Sequence, residues 1–517
     1  GINKDWGLST NNDLILTYGK KLKNFSVDAL AGGTVYYYQD RSLDAATQNG
    51  ISVPGWYSLK ASLGNIIASE GISRRQINSA YGKLSLAWRD AVFLDLTGRN
   101  DWSSTQPAAT RSYFYPSISS SVLLSEFLPM PSQIDMLKIR GSWTIDKSPL
   151  GVFATNRTYT VNPAVWGNLN SSTYPSSLLG NNLLPNSQRT WEIGAGVFAF
   201  GKRAHLDVAY FNRYYYNQQK AQSISSASGF ASTLVNTKET RARRGLEITL
   251  DGSVVKRRNL EWHATINYSL SHMYYVDIDP VYSSDDPWTK KGERVDVYKK
   301  YLWLRDPQGN LIHNNGYPVE GDYLSKMGYG DYNFALGFIN TLDVGNFSFG
   351  MTIDGRFGGL MYNQIYNKMF DTGSNPDTDN QYRYDQVVNG KTNYVGQGVK
   401  VVGGSVQFDK YGNITSDSRE YAPNDVQVGY QDYVQSVAGD DEAGVQKQGF
   451  VKVRELSAAY KIPSKFLGKT LRSASVALTA QNVLLFTKFK FSDPDVFTEN
   501  LNAPSQRMVG VNVKMGF

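Results

Sequence analysis

Residues 346–356 read NFSFGMTIDGR, and the side chains along this stretch alternate strictly between apolar and polar. Phe347, Phe349, Met351 and Ile353 fall on one face of an extended chain, and the even-numbered residues fall on the other. The same period of two returns in GLEITLD (245–251) and WHATINYSL (262–270), and also in AVFLDLTGRND (91–101), although Phe93 falls among the polar residues there. The pattern predicts β-strands that have one apolar and one polar face.

The chain has 517 residues, of which 19% are charged, below the roughly 25% of ordinary soluble domains. About fifteen alternating segments follow one another, mostly of about nine to fifteen residues, whereas strands of soluble domains average about six. The longest apolar run, 193–201, has about nine residues, and a helix needs about 20 to span a bilayer. The sequence therefore predicts an all-β fold, a transmembrane antiparallel β-barrel, despite a mean hydropathy of −0.39.

The connections between the predicted strands alternate between short and long. We expect short connections near 20–23, 89–90, 126–134, 201–203, 252–259, 343–345 and 461–471. We expect long connections near 39–73, 102–111, 146–188, 218–240, 273–332, 357–448 and 483–505. Outer-membrane barrels have short periplasmic turns and long extracellular loops, and soluble β-sandwiches have no reason for this sorting. The long connections are therefore expected outside the cell.

The last residues, 506–517, read QRMVGVNVKMGF, another alternating strand that ends on an aromatic residue. Val509, Val511, Val513 and Phe517 are predicted to face lipid. Such an ending resembles the assembly signal of bacterial outer-membrane proteins, although an ordinary terminal strand shows the same alternation. No signal peptide is recognised at the start of the chain, which reads GINKD.

Seven strings, spread in one order over almost the whole chain, resemble the SusC/RagA-type TonB-dependent transporters of Bacteroidetes outer membranes. They are WRDAVFLDLTGRNDWSS (88–104), SYFYPSIS (112–119), LKIRGSW (137–143), RTWEIG (189–194), RRGLEITL (243–250), FVKVRELSAAYKIP (450–463) and ALTAQNVLLF (477–486). Each string alone is weakly specific, but their collinear order is highly specific.

The resemblance implies an outer-membrane barrel of about 22 strands, filled by an N-terminal plug and capped by a SusD-like surface lipoprotein. It also implies import of oligosaccharides or oligopeptides, driven by TonB in the inner membrane. Residues 1–517 resemble only the C-terminal part of such a barrel, and no plug or TonB-contacting segment is found upstream of Asp13. We therefore expect the plug and about seven strands to come from residues outside this sequence. A piece with two bare strand edges in lipid should be unstable alone.

The usual anchors of enzyme chemistry are absent from the sequence. Cysteine is missing, which excludes disulfides and thiolate metal sites, and the four histidines lack metal-site spacing. No nucleophile elbow, Walker A loop or Rossmann fingerprint occurs. The acids at 285–286 and 440–442 are expected to be solvated loop charges, SNPDTDN (374–380) lacks EF-hand spacing for Ca²⁺, and His263 is expected to bond a neighbour on the polar face. We predict no enzyme activity, no cofactor and no metal.

Charged residues recur on the predicted polar face of the strands. By parity they are Lys83, Asp95, Arg99, Lys138, Arg140, Glu192, Asp207, Arg213, Glu247, Asp354 and Arg356. Most are expected to pair laterally, while those beside long connections are the best candidates to contact a polar solute. The candidate substrate-binding residues are Arg99, Asp101, Trp166, Trp288, Asp354 and Arg356. Loop aromatics can stack on sugar rings or peptide side chains, although packing within the loops explains them equally well.

The leading function is a TonB-dependent outer-membrane importer, and the alternative is a passive porin-like channel without a plug. An outer-membrane hydrolase would need a nucleophile and a base, which are not found. The expected partners are a SusD-like surface lipoprotein, TonB through the plug region, an oligosaccharide or peptide substrate, and outer-membrane lipid. Anionic lipopolysaccharide suits the diffuse net charge of +7, and no basic run suggests nucleic acid. Trp191, Trp262 and the tyrosines 214–216 are expected in membrane girdles.

Overall fold

The computed structural model describes residues 1–156, 158–166, 169–180, 182–438, 442–468, 470–496 and 503–517, except for the side chains of 163–166 and 179. Its main feature is a sheet of 15 strands, in which each strand pairs antiparallel with the next strand of the sheet along the chain. The strands are β1 (Ile2–Leu22), β2 (Phe25–Ala46), β3 (Ile67–Trp88), β4 (Val92–Ser103), β5 (Ser112–Leu123), β6 (Ile134–Ser148), β7 (Asn186–Ala199), β8 (Ala204–Tyr216), β9 (Thr240–Arg257), β10 (Leu260–Asp277), β11 (Phe334–Val344), β12 (Phe347–Phe357), β13 (Phe450–Lys461), β14 (Ser473–Thr487) and β15 (Met508–Gly516). The predicted all-β antiparallel fold is confirmed.

Connections at one end of this sheet are mostly short and those at the opposite end are mostly long, although 104–111 at the long-connection end is shorter than 124–133 and 462–472. The short connections are 23–24, 89–91, 124–133, 200–203, 258–259, 345–346 and 462–472. The long connections are 47–66, 104–111, 149–185, 217–239, 278–333, 358–449 and 488–507. The sheet has a short-connection end and a long-connection end, as the sequence predicts.

Strands β1, β2 and β3 are longer than the sequence predicts, with 21, 22 and 22 residues. The sequence indicates a connection from 39 to 73, but β2 and β3 pair as far as Ala46 and Ile67. The cause is that 39–46 and 67–73 do not separate cleanly into an apolar and a polar face, while backbone pairing needs no such pattern. Since β4 ends opposite Ile77, about ten residues of β3 extend roughly 33 Å beyond it.

Most of the long connections contain regular structure of their own. They contain the short strands Thr160–Trp166, Leu169–Thr173, Ser177–Leu179, Gln219–Ser223, Ser232–Asn236, Val297–Trp303, Ile312–Asn314, Tyr317–Pro318, Glu320–Tyr329, Leu360–Tyr362, Val399–Gly403, Val406–Phe408, Ile414–Asp417, Glu420–Pro423 and Val445–Lys447. They also contain helices α1 (Gln364–Asp371), α2 (Gln381–Asn389) and α3 (Tyr430–Ala438), and 3₁₀ turns at Leu59–Ala61, Ser226–Ser228 and Pro376–Thr378. Two further 3₁₀ turns, Leu124–Glu126 and Ser464–Phe466, lie in short connections. Buried apolar side chains concentrate here, including Ile312, Val428, Tyr433 and Val434.

Strands β1 and β15 do not pair with each other, so the sheet is open at two edges within the described residues. Strands β4 and β12 nevertheless both end at the long-connection end of the sheet, so their last polar-face residues lie beside the long connections.

Among the residues that the structure describes, no helix has both the length and the apolar character needed to cross a membrane.

Candidate functional site

The two faces of the sheet differ as the alternation predicts. On the apolar face, Val197, Leu206, Leu250 and Ile266 stand side by side in one row across β7 to β10. On the polar face, charged side chains pair laterally. Arg140 reaches across β7 to Asp207, with nitrogen–oxygen distances of 2.7 and 2.8 Å. Its path passes over Gly194, where a Cβ atom would lie 2.7 Å from the guanidinium carbon.

Arg99 and Asp101 meet on the polar face, near the long-connection end of β4. Arg99 Nε donates a hydrogen bond to Asp101 Oδ1 at 2.8 Å, and Nη2 donates to Ser79 Oγ at 2.8 Å. The Tyr115 hydroxyl donates to Asp101 Oδ2 at 2.6 Å. The guanidinium carbon of Arg99 lies 5.5 Å from the centre of the Tyr81 ring. Because Asp101 is only 6% exposed, the network holds it in place rather than leaving it free in solvent.

Further aromatic and polar groups line the same part of the polar face. The Arg75 guanidinium lies over Tyr36 and Tyr38, 5.4 and 5.9 Å from the ring centres. The hydroxyl of Tyr113 and the side-chain amide of Gln106 are buried and make no hydrogen bond within the described parts of the chain. Buried polar groups without partners are costly, and such atoms commonly mark a place where a water molecule is enclosed.

Asp354 and Arg356 belong to a second cluster, at the long-connection end of β12. Asp354 accepts hydrogen bonds from Arg454 Nε and, at 2.8 Å, from Arg454 Nη2. Arg454 also binds Asp495, with Nη2 2.8 Å from Oδ1. Arg356 Nη2 lies 3.9 Å from the same Asp495 oxygen. These two predicted residues are therefore already engaged by neighbouring charges of the chain.

Lys452 completes this second cluster from strand β13. Its ammonium donates to Asp493 at 2.8 Å, to Ser505 at 2.9 Å and to Asp495 at 3.2 Å. Counting Asp354 and Arg356, three cations face three carboxylates. Through Asp493, Asp495 and Ser505, the cluster holds the connection 488–507 against the polar face. Alternation along the strands does not predict these contacts.

A β-bulge explains why Arg454 was missed. Thr352 pairs with Glu455 and Ile353 pairs with Val453, so Arg454 is an extra residue between two paired positions. A bulge breaks the period of two and redirects side chains. The alternation before and after the bulge gives conflicting faces for Arg454, so the sequence pattern alone does not assign it.

The carboxylates that the connection brings to this cluster have lowered pKa values. Hydrogen bonds from Arg454 lower the pKa of Asp495 to about 2, against the opposing effect of burial. Burial raises the pKa of Asp493, but hydrogen bonds from Lys452 and Ser505 outweigh it, so the net shift is downward. Both acids are therefore held in their charged form by their cationic partners.

The two predicted tryptophans lie apart from these clusters. Lys299 Nζ lies 4.9 Å from the centre of the Trp288 ring and 2.9 Å from Asp286 Oδ2, so Trp288 is packed within its own connection. Trp166 ends the short strand Thr160–Trp166, and its side chain lies outside the described residues. The structure thus gathers four of the six predicted residues into two clusters, whose strands β4 and β12 have seven strands of the sheet between them.

The residues weighed for chemistry have ordinary partners. His263 Nε2 lies 2.8 Å from Asp251, which confirms its expected bond to a neighbour. Asp285 pairs with Lys410 at 2.8 Å, and Asp377 pairs with Lys490 at 3.0 Å. The acids at 440 and 441 lie outside the described residues. No group of three or more metal-ligating side chains occurs within the residues that were described.

An antiparallel sheet with sorted connections, one apolar face and one charged face defines a β-barrel protein of the outer membrane. A family model described as TonB dependent receptor-like, beta-barrel matches residues 2–297, more than half of the chain. The chain belongs to this family of TonB-dependent receptors, and the resemblance drawn from the sequence is confirmed. The family consists of receptors and transporters rather than enzymes.

Two curated relatives are similar to this chain over nearly all of it. TonB-dependent receptor P26 of Formosa agariphila is 25% identical over 534 residues, which cover 94% of this chain and 49% of that protein. TonB-dependent receptor P3 of the same organism is 19% identical over 532 residues, which cover 96% of this chain and 49% of that protein. The chain thus spans about half the length of the curated relatives it matches.

Solved structures share the fold of this chain. The RagAB peptide transporter has a TM-score of 0.75 at 15% identity, covering 100% of this chain and 56% of that chain. The RagAB peptide importer in its "closed-closed" state has a TM-score of 0.76 at 15% identity, with the same coverage. At this level of identity, the likeness concerns the fold alone.

Proposed function

We propose that residues 1–517 form the C-terminal part of the barrel of a SusC-type importer, which takes up oligosaccharides or oligopeptides in a TonB-dependent manner. The observation that carries this proposal is the Arg99–Asp101 cluster, a hydrogen-bonded polar site on the polar face beside the long connections. A site of this kind suits a hydrated lumen that binds a polar solute before it is moved.

The other parts of the transporter lie, in this proposal, outside the 517 residues. A plug and about seven further strands would complete the barrel, because β1 and β15 each have a free edge that must be paired in lipid. TonB would act through the plug region, and a SusD-like surface lipoprotein would cover the long connections. We propose no catalytic role and no cofactor.

Two substrate chemistries suit the Arg99–Asp101 cluster. An oligosaccharide would stack its apolar faces on tyrosines such as Tyr81 and Tyr115 and bond its hydroxyls to Asp101, with about 0.5–1.5 kcal/mol from each stacked ring. A peptide would use backbone hydrogen bonds and place its termini against Arg99 or Asp101. Similarity to the RagAB peptide transporter supports the peptide, and the density of tyrosines supports the sugar.

Uptake by the full-length protein in cells tests the proposal. A labelled oligosaccharide and a labelled oligopeptide are each offered to cells that carry the protein, with and without an uncoupler of the inner-membrane proton gradient. TonB-dependent import stops when the gradient is removed. Uptake that continues would show the passive porin-like channel instead.

Variants then locate the site. Asp101→Asn combined with Tyr115→Phe should reduce uptake by more than about tenfold while barrel abundance stays constant. The two substitutions remove the carboxylate charge and the phenol hydroxyl with little change in side-chain shape. The control is Asp207→Asn, which alters a lateral pair of the wall and should leave uptake within about twofold. A Trp288→Ala variant tests capture by the loops. Normal uptake in this variant would restrict selection to the barrel wall.

A further inference from the structure

The apolar face of strands β6 to β10 is arranged in horizontal rows, because residues in matched register stand side by side. One row contains Trp143, Trp191, Asn212, Arg244 and His272. The next row toward the long-connection end contains Ile145, Arg189, Tyr214, Ala242 and Tyr274. On the other side, the next row contains Gly141, Ile193, Tyr210, Leu246 and Leu270. Two arginines thus stand on the lipid-facing side, Arg244 one row and Arg189 two rows above the row of Ile193, Leu246 and Leu270.

The tryptophans mark the level of the membrane boundary. Trp143 and Trp191 are direct neighbours across β6 and β7, and the Trp191 ring lies 5.5 Å from the Tyr210 ring. Barrels place such aromatic girdles at the two interfaces of an apolar band about 25 Å tall. Arg244 therefore stands at the interface level, and Arg189 stands one row farther out, about 7 Å along the strand.

Both arginines stack on tyrosines and are exposed. The guanidinium of Arg189 lies 5.1 Å from the centre of the Tyr214 ring, and that of Arg244 lies 5.6 Å from the centre of the Tyr274 ring. Tyr214 and Tyr274 flank Ala242 across the sheet, and Ala242 is only 1% exposed. The stacking orients each guanidinium and leaves its N–H groups free to bind.

In the described part of the chain, neither arginine has an acidic partner. No carboxylate lies within 4 Å of Arg189 or Arg244 among the described residues, whereas Arg99, Arg140 and Arg454 on the polar face each bind at least one. One strand separates β7 from β9, so the distance between the two cations measured perpendicular to the strands is about 10 Å. Two exposed cations without carboxylate partners at a membrane boundary are suited to bind anionic groups of the membrane.

We infer that Arg189 and Arg244 form a binding site for the phosphate groups of lipid A, the phosphorylated glycolipid of the outer leaflet. The planar fork of a guanidinium binds phosphate oxygens through two parallel hydrogen bonds. The acyl chains would lie against Ile193, Leu246 and Leu270 in the row below. The inference goes beyond nutrient uptake and rests only on the orientation with the long connections outside the cell.

Binding of lipid A to the purified full-length protein in detergent tests this site. Fluorescent bisphosphorylated lipid A is titrated against the wild-type protein and against the double variant Arg189→Gln, Arg244→Gln. We expect at least about tenfold weaker binding for the double variant, because four charge-assisted hydrogen bonds are lost. The matched control is Arg213→Gln, the same change of charge next to Tyr214 on the polar face, which should alter binding by less than about twofold.

Each alternative gives a different result. Unchanged binding in the double variant, or an equal loss in Arg213→Gln, overturns the site in favour of diffuse attraction. Equal affinity for dephosphorylated lipid A shows that the acyl chains alone are bound. Displacement of lipid A by millimolar inorganic phosphate shows a free-anion site instead.

A second pair of substitutions and an independent assay keep the test decisive. If the glutamine variants do not fold, Arg189→Lys with Arg244→Lys keeps the charge and should bind about threefold to tenfold more weakly, whereas wild-type affinity would contradict recognition by the guanidinium fork. Surface labelling of the long connections tests the orientation separately, and labelling from the periplasm would overturn the site whatever the result for uptake.

Discussion

The ammonium of Lys452 lies 2.8 Å from Oδ2 of Asp493, and the two side chains are only 2% and 5% exposed. The pair joins strand β13 to the connection 488–507 at the long-connection end of the sheet. The same connection contacts 358–449 through Lys490, which lies 3.0 Å from Asp377. The connection 488–507 thus links the barrel wall to the connection 358–449 through described residues.

Removing the cation of this pair should detach the connection. Lys452→Met leaves the carboxylates of Asp493 and Asp495 buried together, and breaking a buried pair costs about 3–5 kcal/mol. We expect this loss in the free energy of unfolding of the full-length protein in detergent. Lys83→Met is the matched control, because its pair with Asp95 is about half exposed and should contribute less than about 1 kcal/mol. Equal losses in the two variants would contradict a special role for the buried pair.

Acid should release the same connection. The pKa of Asp495 is about 2 in the folded protein, below the ordinary value of 3.8. A lowered pKa contributes stability that is complete above the ordinary value and is lost as the pH falls through the folded value. We expect hydrogen exchange of 488–496, corrected for intrinsic rates, to increase between pH about 4 and about 2. Asp495→Asn should exchange rapidly already at pH 5 and lose this step.

The terminal strand tests the assignment of faces. Val511 is 66% exposed on the apolar face of β15, opposite Leu478. Val511→Arg should cost about 2–4 kcal/mol, since a cation near the middle of the bilayer is unfavourable on the lipid side. Asn512→Arg, one residue along and on the polar face, should cost far less. The yield of heat-modifiable folded barrel in outer membranes measures both, and equal losses would reject the register.

Surface labelling tests the side on which the long connections lie. Helix α2 ends at Asn389, which is followed by Gly390 at a positive φ of 64°. An epitope inserted at this exposed turn should leave the barrel intact and be labelled on intact cells, because 358–449 lies at the long-connection end. The control is the same epitope at Gly345 in the short connection 345–346. Labelling of the Asn389 insertion only after disruption of the outer membrane would invert the topology.

The sequence determined the sheet because barrel strands carry a period of two. Alternation in segments such as 346–356 predicts the antiparallel strands, and their spacing predicts the connections within a few residues at most junctions. Both signals come from local chemistry, since a lipid-facing side chain must be apolar whatever its neighbours are. The prediction was wrong where β2 and β3 extend beyond the apolar band, because polar strands carry no such signal.

The tertiary structure alone decided the partners of the functional side chains. Parity gives the face of Asp354, but its pairing with Arg454 depends on a bulge and on a connection that returns Asp495 to β12. The same holds for Arg189 and Arg244, whose placement in adjacent rows requires the register of three strands. Side-chain alternation acts between adjacent residues of one strand, whereas these contacts join positions far apart in sequence. Their geometry is therefore fixed only when the sheet has formed.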